Sequence, residues 1–538
     1  MTLSPRQELL TLQKRIFADN QRVIESSIEV SERGFAQYER TYQRAVARFD
    51  RAATHEEMLK AILKANIIYV GDYHTLNQSQ RSFLRILKAI VSRDRNFVVG
   101  LELIHARHQK LLDRFVAGKV SEDSFLRKIR LEEHWVFDLW SNFKPLFDFC
   151  RYHHIPMLAI DAAPRGASVR VRDRATAELL ADYSEHHSEQ RMFVFIGDLH
   201  IAPSHLPRDV ERALRRRQRT VQDLVLYQSS VKIYWELARR GLEDRVDVVR
   251  IDDRSFCRMH TPPIIAQRSY LNWLEHEEGE IDYADAKHSF LEIVDHIGRF
   301  LRIRFSPSDC ESVDVFTAGD MSFLERLREM KIFSPRELAV IKRQIASSES
   351  YYIAKARVVY LANLSINHAA EEAAHFMKNV LSGPEEPREM IDAFYANVLH
   401  EALGFFGSKI VNHKRKCHHE PDFRKLHVFF SKHRIPQHRR LEAEATELLL
   451  RYLALERQGR PLGSLGVFHV PMELFLAVTH ALGYMLGERL YYGLLDGVIS
   501  RKSVRSLFQD PWEGEGEPFA VYWDLRQKLR QVVIPKRM

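Results

Sequence analysis

The sequence predicts an α/β fold: a mainly parallel β-sheet flanked by helices, with N-terminal helices before it and a C-terminal all-α domain after it. Between about residues 60 and 260, short β-branched apolar runs alternate with helical segments, which is typical of parallel strands covered on both faces. After about residue 290 the strand patterns largely stop and long helical patterns follow. The 538 residues also exceed the roughly 250–300 that usually share one hydrophobic core.

The predicted organisation has three parts. Residues 1–55 form an N-terminal helical arm, because apolar residues recur there at three- and four-residue intervals among charged ones. Residues 56–285 form the α/β domain, and residues 286–538 form a helical domain for which the sequence indicates no role. The predicted strands lie in the segments "NIIYVG", "NFVVGLEL", "IPMLAIDAA", "MFVFIGDLH", "TVQDLVLYQ" and "VDVVRIDD".

The composition excludes several classes of protein. Hydrophobic residues make up 45% and charged residues 28% of the chain, as in folded globular proteins rather than disordered ones. The formal net charge of +8 is a small excess over so long a chain, so we expect no specific nucleic-acid partner. The four cysteines are scattered without a Cys-x-x-Cys pair, which argues against a zinc ribbon or a disulfide framework.

We expect a cytoplasmic protein without a membrane span. The N-terminal segment "MTLSPRQELLTLQKRIF" has neither the apolar region of a signal peptide nor a lipidation cysteine. The longest apolar stretch, "LFLAVTHALGYMLG" from Leu474, is shorter than the roughly 20 residues that cross a bilayer. We therefore predict a buried helix there.

Two of the predicted strands end in the same four-residue frame, Gly-Asp-x-His. The first frame, "GDYH", ends at His74, and the second, "GDLH", ends at His200. Glu102 and Asp161 also follow predicted strands. Because the carboxyl ends of parallel strands share one edge of a sheet, where ligands bind, we expect His74, Glu102 and His200 to converge.

Two imidazoles and a carboxylate are suitable ligands for a divalent transition metal, whose identity the sequence does not indicate. Such a metal lowers the pKa of a bound water toward neutrality. The aspartates of the two frames, Asp72 and Asp198, would orient the imidazoles or act through water. A single histidine after a strand is usually an ordinary loop residue, but the repeated frame favours a shared polar site.

Residues 55–265 resemble the ChaN-like haem-binding uptake proteins of the Tiki superfamily and, more distantly, the erythromycin-esterase-like enzymes. The resemblance rests on motifs in a characteristic order: "VGDYH", "VVGLELIHARHQKLLDRFVAGKVSEDSFL", "IPMLAIDAAPR", "RDRATAELLA" and "FIGDLHIAPSHLP". It implies an α/β fold with its site at the strand ends. By this likeness to the metal-dependent peptidases of the superfamily, the metal-binding set would be His74, Glu102 and His200.

ChaN-like members instead bind haem at the equivalent edge, in a bacterial iron-uptake setting. They usually carry Gly-Glu-x-His first and another histidine pair downstream, whereas here "GDYH" is followed by "TLNQSQ". This departure weakens the haem interpretation, although Tyr73 stays a candidate axial ligand. Arg172 and Arg174 fall where the family carries an arginine, and would hold a carboxylate or a propionate unless they are exposed helix charges.

Two motifs of the helical half resemble metal-ligand patterns. "NHAAEEAAHF" places His368, Glu371, Glu372 and His375 on one helical face, and Glu-x-x-His is a di-iron spacing. A second Glu-x-x-His helix is absent from the sequence after residue 290, so we predict a polar surface or a salt-bridged helix interface. "HKRKCHHEPDF", from His413, is interpreted as a solvated basic loop rather than a metal cluster.

Three functions stay open, and we favour a metal-centred site that hydrolyses an ester or amide bond. The alternatives are a non-catalytic haem or tetrapyrrole binder and a catalytically inactive interaction protein. The expected ligand is accordingly a small-molecule or peptide substrate, or haem; a homodimer also stays open. The candidate catalytic residues are Asp72, Glu102 and Asp198, and the candidate cofactor-binding residues are Tyr73, His74 and Arg174.

Overall fold

The computed structural model describes residues 3–27, 33–131, 140–164, 166–276, 283–317, 320–346, 350–362, 365–385, 387–458 and 470–536. Its internal contacts divide the chain into two compact units. The α/β unit consists of Arg15–Glu280 with Pro535–Met538, and the helical unit consists of Ile281–Ile534 with Met1–Lys14.

The α/β unit contains an eight-stranded sheet with the order β1-β7-β8-β6-β2-β5-β3-β4. Its strands are β1 Arg51–Ala53, β2 Ile67–Asp72, β3 Phe97–His105, β4 Met157–Asp161, β5 Arg191–Gly197, β6 Asp223–Gln228, β7 Val248–Asp252 and β8 Ser255–Arg258. Six neighbouring strands, from β8 to β4 in that order, are parallel, and β7 and β1 add antiparallel pairs at one edge. The predicted α/β fold with a mainly parallel sheet is confirmed.

Eleven described helices lie within the first 276 residues: α1 Pro5–Ser27, α2 Arg33–Ala45, α3 His55–Lys64, α4 Asn77–Val91, α5 Gln109–Val116, α6 Glu122–Ile129, α7 Trp140–His153, α8 Val169–His186, α9 Leu206–Arg216, α10 Val231–Arg239 and α11 Pro263–His276. Side-chain caps begin several of them. The Thr54 side chain accepts a hydrogen bond from the Glu57 N–H at the start of α3, which satisfies a backbone donor that the helix itself leaves free.

The central strands are apolar because helices cover both faces of the sheet. All six residues of β2 are buried. Phe83 of α4 stacks on Phe195 of β5 with ring centroids 4.4 Å apart, and Phe97 of β3 meets Phe193 edge-on at 5.3 Å. Burying each such ring stabilises the fold by about 1.5–3 kcal/mol, so the strands that carry the site are held by a rigid core.

The helical unit contains α12 Tyr283–Leu301, α13 Pro307–Glu311, α14 Phe323–Glu329, α15 Pro335–Ala346, α16 Ile366–Ser382, α17 Met390–Val411, α18 Glu420–Lys432, α19 Arg440–Arg457, α20 Met472–Leu495, α21 Arg501–Gln509 and α22 Glu517–Lys528. No helix in the described parts of the chain combines the length and hydropathy that a membrane span needs.

The helical region differs from the predicted all-α domain in one respect. A three-stranded sheet of order β10-β11-β9 lies within it, formed by β9 Asp314–Thr317, β10 Tyr351–Ile353 and β11 Val358–Leu361. Strands of three or four residues are too short to establish a period-two pattern, which explains why the sequence did not indicate them. Arg357 closes the β10–β11 turn in the left-handed region, with φ of 51°.

Helices α16, α17 and α20 form a closely packed group in the helical unit. A Cβ at Gly483 of α20 would lie 2.3 Å from the Glu401 Cβ and 2.8 Å from the Val398 carbonyl oxygen. Glycine is therefore needed where α20 crosses α17, because any larger residue would push the helices apart. The same close approach brings polar side chains of the helices into the interior.

The "NHAAEEAAHF" motif contributes to these buried polar contacts. Glu371 pairs with Arg415 at 2.7 Å, and Glu372 Oε2 lies 3.3 Å from His375 Nδ1. Burial opposes protonation of His375, but the hydrogen bond and charge of Glu372, with the charges of Glu401 and Glu371, raise the pKa of His375 to about 9. The motif is thus buried and ion-paired: Glu371 reaches the loop after α17, Glu372 and His375 pair within α16, and His375 Nε2 lies 3.2 Å from the His400 carbonyl oxygen of α17.

Candidate functional site

The two Gly-Asp-x-His frames lie side by side at the carboxyl end of the sheet. Strands β2 and β5 are parallel neighbours, and Asp72 pairs in register with Gly197. Strand β3, which carries Glu102, runs parallel to β5 on its other side. Since the three strands end at the same edge, residues far apart in sequence meet there.

Glu102 lies between the two histidines of the frames. Its Oε2 is 3.7 Å from His74 Nε2, and its Oε1 is 3.7 Å from His200 Nε2. The Gly197 N–H donates a hydrogen bond to Glu102 Oε2 at 2.7 Å. The convergence expected from the sequence is therefore seen in the structure, with a buried carboxylate at its centre.

A buried aspartate, Asp72, is hydrogen-bonded to Nδ1 of His74. The Asp72 Oδ2 lies 2.8 Å from His74 Nδ1, and the Gln80 side chain donates to Asp72 Oδ1 at 2.6 Å. Because an ionised carboxylate only accepts hydrogen bonds, Nδ1 donates to Asp72, while Nε2 faces Glu102. Burial opposes protonation of His74, but Asp72 outweighs it and raises the pKa of His74 to about 9.

A second buried aspartate, Asp173, lies against Nδ1 of His200. Its Oδ1 lies 2.6 Å from His200 Nδ1, and its Oδ2 accepts a 2.6 Å hydrogen bond from the Tyr38 hydroxyl. Sequence reasoning missed Asp173, although a signal existed. Asp173 shares the buried face of α8 with Thr176, Ala177 and Leu180, at helical spacings of three, four and seven.

Arg172, rather than Arg174, reaches the centre of the site. An Nη of Arg172 donates to Glu102 Oε1 at 2.5 Å and lies 3.8 Å from Asp161 Oδ1. Burial opposes ionisation of Glu102, but the positive charges of His200, His74 and Arg172 outweigh it and lower the pKa of Glu102 to about 2. Arg174 is exposed on the same helix.

Asp198 and Tyr73 lie beside the three central side chains. Asp198 is partly exposed, yet its Oδ1 is buried without a hydrogen-bond partner among the described residues. Burial and the charge of Asp72 raise the pKa of Asp198 to about 7. A Cβ at Gly71 would lie 2.3 Å from Asp198 Oδ1, so Asp198 takes this position only beside a glycine. Tyr73 is partly exposed, and burial with the charge of Asp198 raises its pKa.

The three central side chains stand farther apart than the ligands of a closed metal shell. Metal–ligand bonds of about 2.0–2.2 Å place ligand atoms roughly 3–3.5 Å from one another. The two separations of 3.7 Å are slightly longer. Among the described residues, the set of three ligand atoms that all lie within 4.8 Å of one another belongs to Cys417, His419 and Glu488 of the helical unit. Because the ligand atoms of His74, Glu102 and His200 do not all lie within 4.8 Å of one another, a metal held by them would draw at least one pair together by more than about 1 Å.

Comparison with known proteins bears on the α/β unit. Residues 58–169 match the family model described as "Haem-binding uptake, Tiki superfamily, ChaN". A solved structure described as "Cofacial heme binding to ChaN of Campylobacter jejuni" is similar at 16% identity, with 33% of this chain and 87% of that chain covered and a TM-score of 0.27. No curated protein matches the chain. The family match confirms the resemblance predicted from the sequence; the matched segment includes His74 and Glu102 and ends before His200.

Proposed function

We propose that this ChaN/Tiki-like chain holds a divalent transition metal between His74, Glu102 and His200 and hydrolyses an ester or amide bond there. One observation carries the proposal: each imidazole is backed at Nδ1 by a buried aspartate and directs Nε2 toward the same glutamate. Metal-binding histidines are oriented by carboxylates in this way. The orientation supports a ligand role more strongly than a purely structural one, because two separate aspartates are buried to achieve it.

A divalent ion at this position would supply Lewis acidity and a nucleophilic water. The surrounding residues have separate roles. Asp72 and Asp173 lie against Nδ1 of the two imidazoles, so that Nε2 would be the ligand atom of each neutral ring. Arg172 has a 34% exposed side chain and offers a positive charge that would attract a developing oxyanion. Asp198, with its unpartnered Oδ1, is the candidate proton acceptor.

The metal site is tested with the purified full-length chain by equilibrium dialysis and elemental analysis. We expect His200→Ala to lose one metal equivalent relative to the wild type. The control is His187→Ala, which changes an exposed histidine of the same unit. Glu102→Gln keeps the side-chain shape and serves as a second variant. Wild-type metal content in folded His200→Ala and Glu102→Gln would reject the assignment.

Hydrolysis is tested with an activated ester and a peptide mixture, with and without a chelator. Asp198→Asn is expected to lower kcat about 10²–10⁴-fold, the usual contribution of a general base, while the metal content stays unchanged. Turnover that survives both the chelator and His200→Ala would show that this site does not catalyse the reaction.

Haem binding without catalysis is the second candidate, and the family match favours it. His74 has a 31% exposed side chain, but its Nε2 faces Glu102, so axial ligation by His74 would require separation from that glutamate. Titration of the full chain with haem tests this candidate: a Soret band that is lost in Tyr73→Phe or His74→Ala would support it. An unchanged haem spectrum would reject it, and a folded chain that binds neither metal nor haem would favour the interaction protein.

A further inference from the structure

We propose a second metal site in the helical unit, formed by Cys417, His419 and Glu488, for a borderline-soft ion of the Zn²⁺ class. The thiol Sγ lies 3.2 Å from Glu488 Oε2, and His419 Nε2 lies 2.7 Å from the same oxygen. The distance from Sγ to His419 Nε2 is 3.7 Å. A thiolate, an imidazole and a carboxylate are all ligands that Zn²⁺ accepts.

These separations are close to those of a tetrahedral zinc site. Zn–S bonds are near 2.3 Å and Zn–N or Zn–O bonds near 2.0–2.1 Å. In a tetrahedral site, a sulfur ligand then lies about 3.6 Å from a nitrogen or oxygen ligand, and a nitrogen lies about 3.3 Å from an oxygen. The observed 3.7, 3.2 and 2.7 Å differ from these by about 0.6 Å at most. The three atoms therefore need little movement to surround one ion.

A fully buried lysine, Lys409, organises this arrangement. Its ammonium donates hydrogen bonds to the carbonyl oxygens of His413 at 2.6 Å and Arg415 at 3.1 Å. It also lies 3.3 Å from Glu488 Oε1. Lys409 thus fixes the loop that leads to Cys417 and occupies one oxygen of Glu488, so that Oε2 faces the thiol and the imidazole. Orientation of a ligating carboxylate by such a hydrogen bond is common in metal sites.

The exposure of the three side chains favours an ion with one open coordination position. Glu488 is buried, whereas Cys417 and His419 are partly exposed, so a water or a small ligand can occupy the fourth coordination position. Asp422 accepts a hydrogen bond from the His419 N–H at 3.1 Å and anchors the loop to the start of α18. Binding would release the Cys417 proton to solvent as the thiolate coordinates.

The prediction of a solvated basic loop for "HKRKCHHEPDF" is wrong for part of the segment, although Lys416 and His418 are exposed. His413 and Lys414 are buried, and Cys417 and His419 face a glutamate of α20. The third ligand lies 71 residues beyond Cys417, which no local spacing rule would find.

The site is tested in the full-length chain carrying His200→Ala, so that failure of this proposal is distinguishable from failure of the proposed α/β site. We expect Zn²⁺ to bind with 1:1 stoichiometry, and Cys417→Ser to weaken binding at least 100-fold. Cys310→Ser, which changes another partly exposed thiol of the helical unit, is the control and should leave affinity unchanged. Co²⁺ should give a thiolate charge-transfer absorption in the near ultraviolet that disappears with Cys417→Ser and persists with Cys310→Ser.

A second pair of variants separates neighbouring histidines: His419→Ala should lose the affinity, whereas His418→Ala should keep it. If a variant does not fold, the wild-type chain still tests the site: the rate at which Cys417 is alkylated is measured by mass spectrometry with and without Zn²⁺. Zn²⁺ should slow modification of Cys417 and leave Cys310 unaffected. Equal Zn²⁺ affinity in Cys417→Ser, or the absence of protection at Cys417, would overturn the proposal.

Discussion

Replacement of Gly197 by alanine would place a methyl group among the three proposed ligands of the α/β unit. An added Cβ would lie 3.2 Å from His74 Nε2, 3.4 Å from Glu102 Oε2 and 3.5 Å from His200 Cδ2. The backbone at Gly197 has φ of −48° and ψ of 138°, which alanine adopts without strain. The substitution therefore fills the centre of the site without a required change of backbone conformation.

The expected effects on stability and on metal affinity differ in size. Contacts of 3.2–3.5 Å are tight, and an extra methyl in a packed region costs about 1–3 kcal/mol, partly offset by about 0.4–1 kcal/mol from the stiffer unfolded chain. Metal binding would also draw the side chains inward from 3.7 Å, against the new methyl. We expect metal affinity to fall about 100-fold, which is about 2.7 kcal/mol.

The assay is equilibrium dialysis of the folded variant in a Cys417→Ser background, with urea denaturation to measure the free energy of unfolding. Gly100→Ala is the matched control, because its Cβ would meet Ile160 at 3.0 Å and the Phe193 carbonyl oxygen at 3.4 Å, away from the ligands. We expect this variant to lose stability but not metal. If Gly197→Ala binds metal as tightly as Gly100→Ala, the ion does not lie between the three side chains.

Three further predictions concern buried charges. Asp173→Ala should lower metal affinity at the α/β site 10–100-fold, the usual effect of losing the partner of a ligating histidine; dialysis checks this, and an unchanged affinity would contradict it. The raised pKa of His375 adds stability below about pH 6.5 that is lost as the pH rises toward 9, at most about 3 kcal/mol. Urea denaturation at pH 6 and pH 9 should show a larger loss in the wild type than in His375→Gln, which keeps the contribution of His74. Lys409→Met leaves the Glu488 charge buried without its cation and should destabilise the chain by about 3–5 kcal/mol, whereas a thermal unfolding curve like that of the wild type would refute the role of the lysine.

The residues of the α/β site that lie at the ends of strands could be predicted from the sequence. The frames ending at His74 and His200 each follow a β-branched run, and parallel strands deliver both to one edge. Asp173 was not predicted, because it approaches His200 from a helix and its burial depends on how α8 packs on the sheet. Arg172 was distinguished from Arg174 only by the rotation of that helix, which directs Arg172 to Glu102.

By itself, the sequence determined the α/β class and the position of both Gly-Asp-x-His frames at one edge of the sheet. Residue periodicity and the end of each strand are local properties that can be read directly from the sequence. Only the tertiary structure decided that Glu488 faces Cys417 and His419, and that each imidazole of the α/β site has its own aspartate. Those contacts depend on the register and rotation of packed helices. Many side-chain contacts across the whole unit determine that packing, and no short motif encodes it.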